Sequence, residues 1–177
     1  PGLDMIPIST TDMDTYELIK ATIAVSLLHD VNDHKYVKNT DCKNGEIKQA
    51  LLKCFDMDTT DEILKIIPLI SFSNEKKYFL KHGKYPEFNE LSSSGKIIRH
   101  IVSDADKLEA IGENGITRCI EFSRHILGDV SVIKIYQNVV DHYHDKLKLL
   151  SKNYMRTDNG MELAEELDKE MKVVIRE

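Results

Sequence analysis

The residues best suited to carry chemistry are a histidine and two carboxylates near it. His29 and Asp30 are adjacent at the end of an apolar stretch, and Asp33 follows in the run LLHDVNDHKY. On a continuing helix, residues three and four apart share one face. Imidazole and carboxylate groups that converge on one point can bind a divalent cation. The alternative is a histidine that only stabilises the negative end of a helix.

A second group of carboxylates lies in the run IVSDADKLEAIGENGITR, where Asp104 and Asp106 bracket the small residue Ala105. At 100° per residue, both aspartates fall on the flanks of the apolar stripe of a helix, so the helical wheel does not choose between them. Ala105 would allow a second helix to approach closely. The alternative is a pair of solvated carboxylates at the border of that helix.

The elements that must position these residues are predicted to be helices, because apolar residues recur at helical spacing and strand-like alternation is almost absent. The sequence predicts an all-α bundle of roughly seven helices in a single domain over residues 1–177. The first predicted helix begins after Asp12 or Asp14 and ends near residue 28. The others cover residues 46–55, 60–68, 97–111, 116–127, 132–150 and 158–175.

Two segments carry more specific structural predictions. Apolar residues surround most of the first helix, which is typical of a buried central helix. Residues 74–95 contain Gly83, Pro86 and three consecutive serines without a stable apolar period, and they are predicted to form a loop. Pro68 is expected to end or kink the helix before this loop.

The composition indicates a globular protein in a reducing compartment. The chain has 177 residues, of which 41% are hydrophobic and 31% charged, and its formal net charge is −6. This acidic balance argues against nucleic acid as a partner. The longest apolar stretch is too short to cross a membrane, and three separated cysteines suggest neither disulfides nor a zinc site. We therefore expect a soluble, cytoplasmic protein.

The run LLHDVNDHKY and the run IVSDADKLEAIGENGITR, taken in order with three further blocks of the chain, resemble the HD-domain metal-dependent phosphohydrolases. The resemblance is greatest to the small bacterial-type HD hydrolases that include nucleotide pyrophosphohydrolases. Such proteins typically read HDIGDxKY, ISFS, IVxDADRLDAIGxxGIxR, HFYEKL and MxTxxGxxxA. This chain has HDVNDHKY (29–36), ISFS (70–73), IVSDADKLEAIGENGITR (101–118), DHYHDKLKL (141–149) and MRTDNGMELA (155–164). It departs from the pattern at Asn32, in place of glycine, and at Lys107, in place of arginine.

The resemblance implies an HD fold and a metal-dependent phosphohydrolase that releases phosphate or pyrophosphate from nucleotides. The implied metal ligands are His29, Asp30 and, by the ADKL frame, Asp106. Asp33 takes the position of a catalytic carboxylate near the attacked phosphate. The implied cofactor is a divalent ion, and Mn²⁺, Mg²⁺, Co²⁺ and Fe²⁺ all accept histidine and carboxylate ligands.

Four further side chains are candidates for substrate binding. His142 and Arg118 match polar positions of the family motifs, and Lys35 and Lys107 could offset phosphate charge. The alternative for each of them is a solvated residue on a helix face. The expected partner is a small-molecule nucleotide.

The family's first metal-binding histidine should precede His29 by about one helix and a loop, but no histidine does so here. Because the chain starts at Pro1, the sequence predicts that an N-terminal helix is missing from this piece; true loss of the ligand is the alternative. Loss would favour a degenerate HD domain that serves as a binding or scaffold module. A third possibility is an HD-type metal enzyme with a non-phosphate substrate.

Overall fold

The fold is known from a computed structural model that describes residues 12–31, 40–128 and 131–176, without the side chains of residues 40–44. These residues form α1 (Thr15–Leu28), α2 (Thr40–Leu51), α3 (Met57–Ile66), α4 (Phe72–His82), α5 (Ser93–Glu109), α6 (Gly112–Leu127), α7 (Val132–His142), α8 (Lys148–Asn153) and α9 (Asp158–Ile175). A 3-10 turn, Ile67–Leu69, follows α3, and a π-helical turn, Tyr143–Leu147, joins α7 to α8. The described residues contain no strand, so the all-α prediction is confirmed.

Packing divides the chain into two compact units, residues 1–103 and 104–177, and the boundary falls within α5. We describe each unit by itself. The prediction of a single domain over residues 1–177 remains a prediction.

In the first unit, aspartate caps start two of the helices. The Asp14 carboxylate accepts a hydrogen bond from the Glu17 backbone N–H at 2.8 Å, and Asp56 accepts one from Thr59 at 2.8 Å. Such caps satisfy N–H groups that have no partner within a helix. Pro68 lies in the 3-10 turn that ends α3, as predicted. The buried core of this unit comprises Leu18, Ala21, Val25, Ile47, Leu51, Ile63, Ile66, Ile67, Ile70, Phe88, Leu91, Ile98 and Val102.

The prediction that α1 is buried on most sides is corrected by its exposure. Leu18, Ala21 and Val25 face the core of the first unit. On another face of the helix, Ile23 is 55% exposed and Leu27 is 74% exposed. Helical spacing of three and four residues aligns the buried set on one stripe. Apolar residues outside that stripe, such as Ile23 and Leu27, made the helix sequence look buried on most sides although they are exposed.

The prediction of a loop over residues 74–95 is also corrected, because residues 72–82 form α4 and α5 begins at Ser93. The buried residue of α4 is Glu75, whose Oε2 lies 3.3 Å from Nη2 of Arg99 on α5. The buried position of α4 is therefore charged, and the helix lacks the apolar period by which a helix is predicted from sequence. Gly83 ends α4 with φ +69°, a conformation that favours glycine.

In the second unit, α9 packs on α6 and α8, and α6 also packs on α7. The predicted helix over residues 132–150 is confirmed, since α7, the π-helical turn and α8 follow without a break. Gly112 has φ +75°, and a Cβ there would lie 2.7 Å from the Leu167 side chain. Glycine therefore allows both the turn before α6 and its close contact with α9. The core residues are Ile111, Ile116, Ile135, Val139, Tyr143, Leu147, Leu150, Tyr154, Met155, Ala164, Met171 and Ile175.

None of the helices in the described ranges is both long enough and apolar enough to cross a membrane.

Candidate functional site

His29 lies at the C-terminal end of α1, where its backbone N–H donates to the Val25 carbonyl. Its ring Nδ1 lies 2.9 Å from the Ser26 carbonyl oxygen. Because a carbonyl oxygen only accepts hydrogen bonds, Nδ1 carries the proton and the neutral ring has a lone pair at Nε2. Histidines that bind metal ions are commonly oriented by a hydrogen bond of this kind. The end of α1 thus presents His29 in a form that can act as a ligand.

Asp30 places a carboxylate next to that lone pair. Its Oδ2 lies 3.6 Å from Nε2 of His29, and the two side chains are 76% and 20% exposed, respectively. Two ligand atoms that each bind a cation at about 2.0–2.2 Å are separated by up to about 4 Å. His29 and Asp30 therefore fit a divalent ion as a pair of ligands, and the carbonyl end of α1 favours positive charge at the same place.

Asp104, in the second unit, is bound by the segment that precedes α9. Its Oδ2 accepts hydrogen bonds from the backbone N–H of Arg156 at 2.9 Å, from that of Thr157 at 2.7 Å, and from the Thr157 hydroxyl at 2.8 Å. A Cβ on Gly160 would lie only 2.5 Å from the same oxygen. The carboxylate is buried, and these contacts fix the start of α9.

Lys107 strengthens this internal link. Its Nζ donates to the Tyr154 carbonyl at 2.9 Å and lies 4.0 Å from Oδ1 of Asp104. Only 1% of the side chain is exposed, and these contacts give Lys107 a structural role, while its role in substrate binding stays a prediction. A buried amine needs hydrogen bonds and a nearby negative charge, and the Tyr154 carbonyl and the Asp104 carboxylate supply them within the second unit.

Asp106, by contrast, is half-buried on α5. The site role of Asp106, which the resemblance implies through the ADKL frame, stays a prediction. His29 and Asp30 belong to the first unit and Asp106 to the second, so the convergence of the three remains a prediction. Across residues 12–31, 40–128 and 131–176, no three His, Cys, Asp or Glu side chains form a group that could hold a metal ion.

The other predicted site residues have separate surroundings. Asp33 and Lys35 lie outside the described residues. Arg118 is exposed, and its Nη1 lies 3.8 Å from Oε1 of Glu109. His142 is half-buried immediately before the π-helical turn, and burial together with the nearby Lys146 lowers the pKa of its imidazole. The lowered pKa favours the neutral imidazole, which can donate and accept hydrogen bonds.

The sequence did not predict two interactions of buried charged side chains, Glu75 with Arg99 within the first unit and Asp104 with Thr157 within the second. A signal for the second pair was present, because Thr157 and Asp158 are both residue types that cap helices and Gly160 follows in the first turn of α9. Thr157 is the cap, and its hydroxyl accepts a hydrogen bond from the Gly160 N–H at 3.0 Å. The first pair had no comparable signal, since Glu75 and Arg99 are 24 positions apart.

Comparison with solved structures shows that similar all-α folds occur in bacterial proteins. The structure of selenomethionine-labelled YpgQ from Bacillus subtilis matches with a TM-score of 0.63 and 26% identity, covering 93% of this chain and 86% of that one. A Lactobacillus plantarum protein matches with a TM-score of 0.58 and 25% identity, covering 89% of this chain and 74% of that one. A structure of YpgQ in complex with ADP matches with a TM-score of 0.58 and 24% identity, covering 97% of this chain and 87% of that one.

A comparison of sequences also finds YpgQ. The uncharacterized protein YpgQ of Bacillus subtilis strain 168 is 32% identical over 146 residues, which cover 80% of this chain. The match spans 62% of YpgQ, less than two thirds of its length. No protein-family model matches the sequence.

Proposed function

We propose that this chain is a metal-dependent phosphohydrolase of the HD class that acts on nucleotides. The observation that carries the proposal is the geometry at the end of α1. There Nδ1 of His29 faces a carbonyl oxygen, and Nε2 lies 3.6 Å from Asp30. Asp106, on a helix whose other candidate, Asp104, is bound internally, is proposed as the third ligand.

Nucleotides are proposed as substrates for two reasons: a structure of the relative YpgQ contains ADP, and the sequence blocks of this chain resemble those of nucleotide hydrolases. YpgQ has been crystallised with ADP, and its sequence is 32% identical to this chain over the matched residues. The ordered blocks HDVNDHKY, IVSDADKLEAIGENGITR and DHYHDKLKL resemble those of small HD hydrolases that include nucleotide pyrophosphohydrolases. Both lines of support point to a molecule that carries a phosphate ester or anhydride.

The proposed reaction is attack of water on phosphorus, with cleavage of a phosphorus–oxygen bond and protonation of the leaving oxygen. A bound divalent cation would supply Lewis acidity toward a phosphoryl oxygen and make water more acidic. Asp33 would accept the proton of the attacking water or donate one to the leaving oxygen. Arg118 would offset phosphate charge, and the neutral His142 would donate a hydrogen bond to it.

The proposal is tested by offering nucleoside mono-, di- and triphosphates to the full-length product of the gene with Mn²⁺, and with a chelator as the matched control. We expect release of phosphate or pyrophosphate from at least one nucleotide, and none with the chelator. The measurement is the rate of phosphate release, with added pyrophosphatase revealing pyrophosphate. Nucleotide binding without any release would instead support the binding-module alternative.

A further inference from the structure

A cavity of about 440 Å³ lies within the first unit, between one face of α4 and the segment 84–90. Asn74, Glu75 and Tyr78 line it from the helix, where their spacing of three and four residues puts them on one face. His29 and Asp30 are not among its lining residues. Cavities of about 300–1,000 Å³ hold small organic ligands, so the size suits one molecule with a few rings.

The wall of the cavity opposite α4 includes an unusual backbone position. Phe88 is buried and has φ +50°, which is rare for a bulky residue. The guanidinium carbon of Arg99 lies 4.1 Å from the centre of the Phe88 ring. The Nε of Arg99 also donates to the Leu69 carbonyl at 3.1 Å. These contacts fix the wall of the cavity, because strained conformations persist only where the surroundings hold them.

Carboxylates outnumber cations around the cavity, although two of the carboxylates each lie beside a cation. The Glu75 carboxylate lies 3.3 Å from the Arg99 guanidinium, and the Glu87 carboxylate lies 2.7 Å from the Lys84 amine. Glu90 adds a further carboxylate to the lining. A phosphate group would meet more carboxylates than cations here, so the cavity disfavours anions and suits an uncharged ligand.

The remaining lining groups suit a flat ligand with mixed hydrogen-bonding edges. Tyr78 lines the cavity with an aromatic ring, which packs against the His82 ring at 4.3 Å between centroids, and bases stack on such rings. Asn74 carries an amide, which both donates and accepts and which pairs well with the edge of a nucleobase. The amide of Asn89 is already bound to Glu87 and Lys96 and therefore shapes the cavity. We propose that this cavity is a binding site for an uncharged nucleoside. This inference does not rest on the proposed hydrolase function, because a nucleoside has no phosphate to release.

Calorimetric titration of the full chain with adenosine, guanosine, cytidine and uridine tests the proposal. We expect at least one of them to bind, and Tyr78→Ala and Asn74→Ala to weaken its binding by about tenfold each, since loss of a stacking face has effects of this size or larger. Lys77→Ala is the matched control, because Lys77 is exposed on the same helix and does not line the cavity. Its affinity should equal that of the wild type.

Nuclear magnetic resonance gives a second measurement that does not depend on variants. Nucleoside addition should shift the backbone amide signals of residues 74–78 and 87–90, and ADP should shift them less at equal concentration. The proposal is overturned if none of the four nucleosides binds at millimolar concentration, or if binding survives both substitutions. Equal shifts with ADP would overturn the assignment of an uncharged ligand.

Discussion

Asp33→Asn should lower the kcat of nucleotide hydrolysis by about 10²–10⁴-fold, which is the contribution of a general acid or base. The prediction rests on the proposed function and on the position of Asp33, four residues after His29 in the HDVNDHKY block. Asparagine has nearly the same shape as aspartate but neither accepts nor donates the required proton. Steady-state kinetics with the nucleotide that is hydrolysed fastest gives the measurement.

Two comparisons make this test specific. Asp58→Asn, at an exposed aspartate in the first turn of α3, should leave kcat unchanged. Calorimetry should show the same Mn²⁺ affinity for Asp33→Asn as for the wild type, because Asp33 is proposed to act on the proton and not as a ligand. An unchanged kcat for Asp33→Asn would remove this residue from the mechanism.

Arg99→Met should lower the free energy of unfolding by about 3–5 kcal/mol, as expected when one partner of a buried ion pair is removed. The side chains of Arg99 and Glu75 are 0% and 1% exposed, so the substitution leaves the carboxylate of Glu75 in the interior without this guanidinium. It also removes the hydrogen bond to the Leu69 carbonyl. Urea unfolding followed by circular dichroism measures the change.

The double variant Glu75→Met with Arg99→Met separates charge burial from packing. We expect it to recover most of the lost stability, because apolar side chains of similar volume often replace a buried pair without loss. Lys169→Met, at the surface pair with Glu165, should cost less than about 1 kcal/mol. A loss below about 1 kcal/mol for Arg99→Met would contradict the role assigned to the buried pair.

Most of the helices could be predicted because their buried faces are apolar at helical spacing. The helix α4 could not, since its interior position is Glu75, which is stabilised by a residue of a different helix. The exposure of Ile23 and Leu27 could not be predicted either. When apolar residues lie on most faces of a helix, as in α1, the sequence does not reveal which face packs against a neighbour.

The candidate site shows a similar division. The adjacency of His29 and Asp30 follows from the sequence, and the chemistry of a ligand pair follows from their types. The difference between Asp104 and Asp106 did not follow, because both lie on the flanks of the same apolar stripe. It emerged only from the backbone N–H groups of Arg156 and Thr157, which bind Asp104. The burial of Lys107 could not be predicted for the same reason, since its acceptor is the carbonyl of Tyr154, a distant residue in the sequence.

The proposed hydrolase depends on Asp106 joining His29 and Asp30 in binding a divalent ion. Its most direct test is calorimetric titration of Mn²⁺ into the full-length wild type, Asp106→Ala and Glu109→Gln, the last at an exposed carboxylate on the same helix. We expect binding by the wild type and by Glu109→Gln, and loss of binding in Asp106→Ala. Equal Mn²⁺ affinity in Asp106→Ala and the wild type would contradict it.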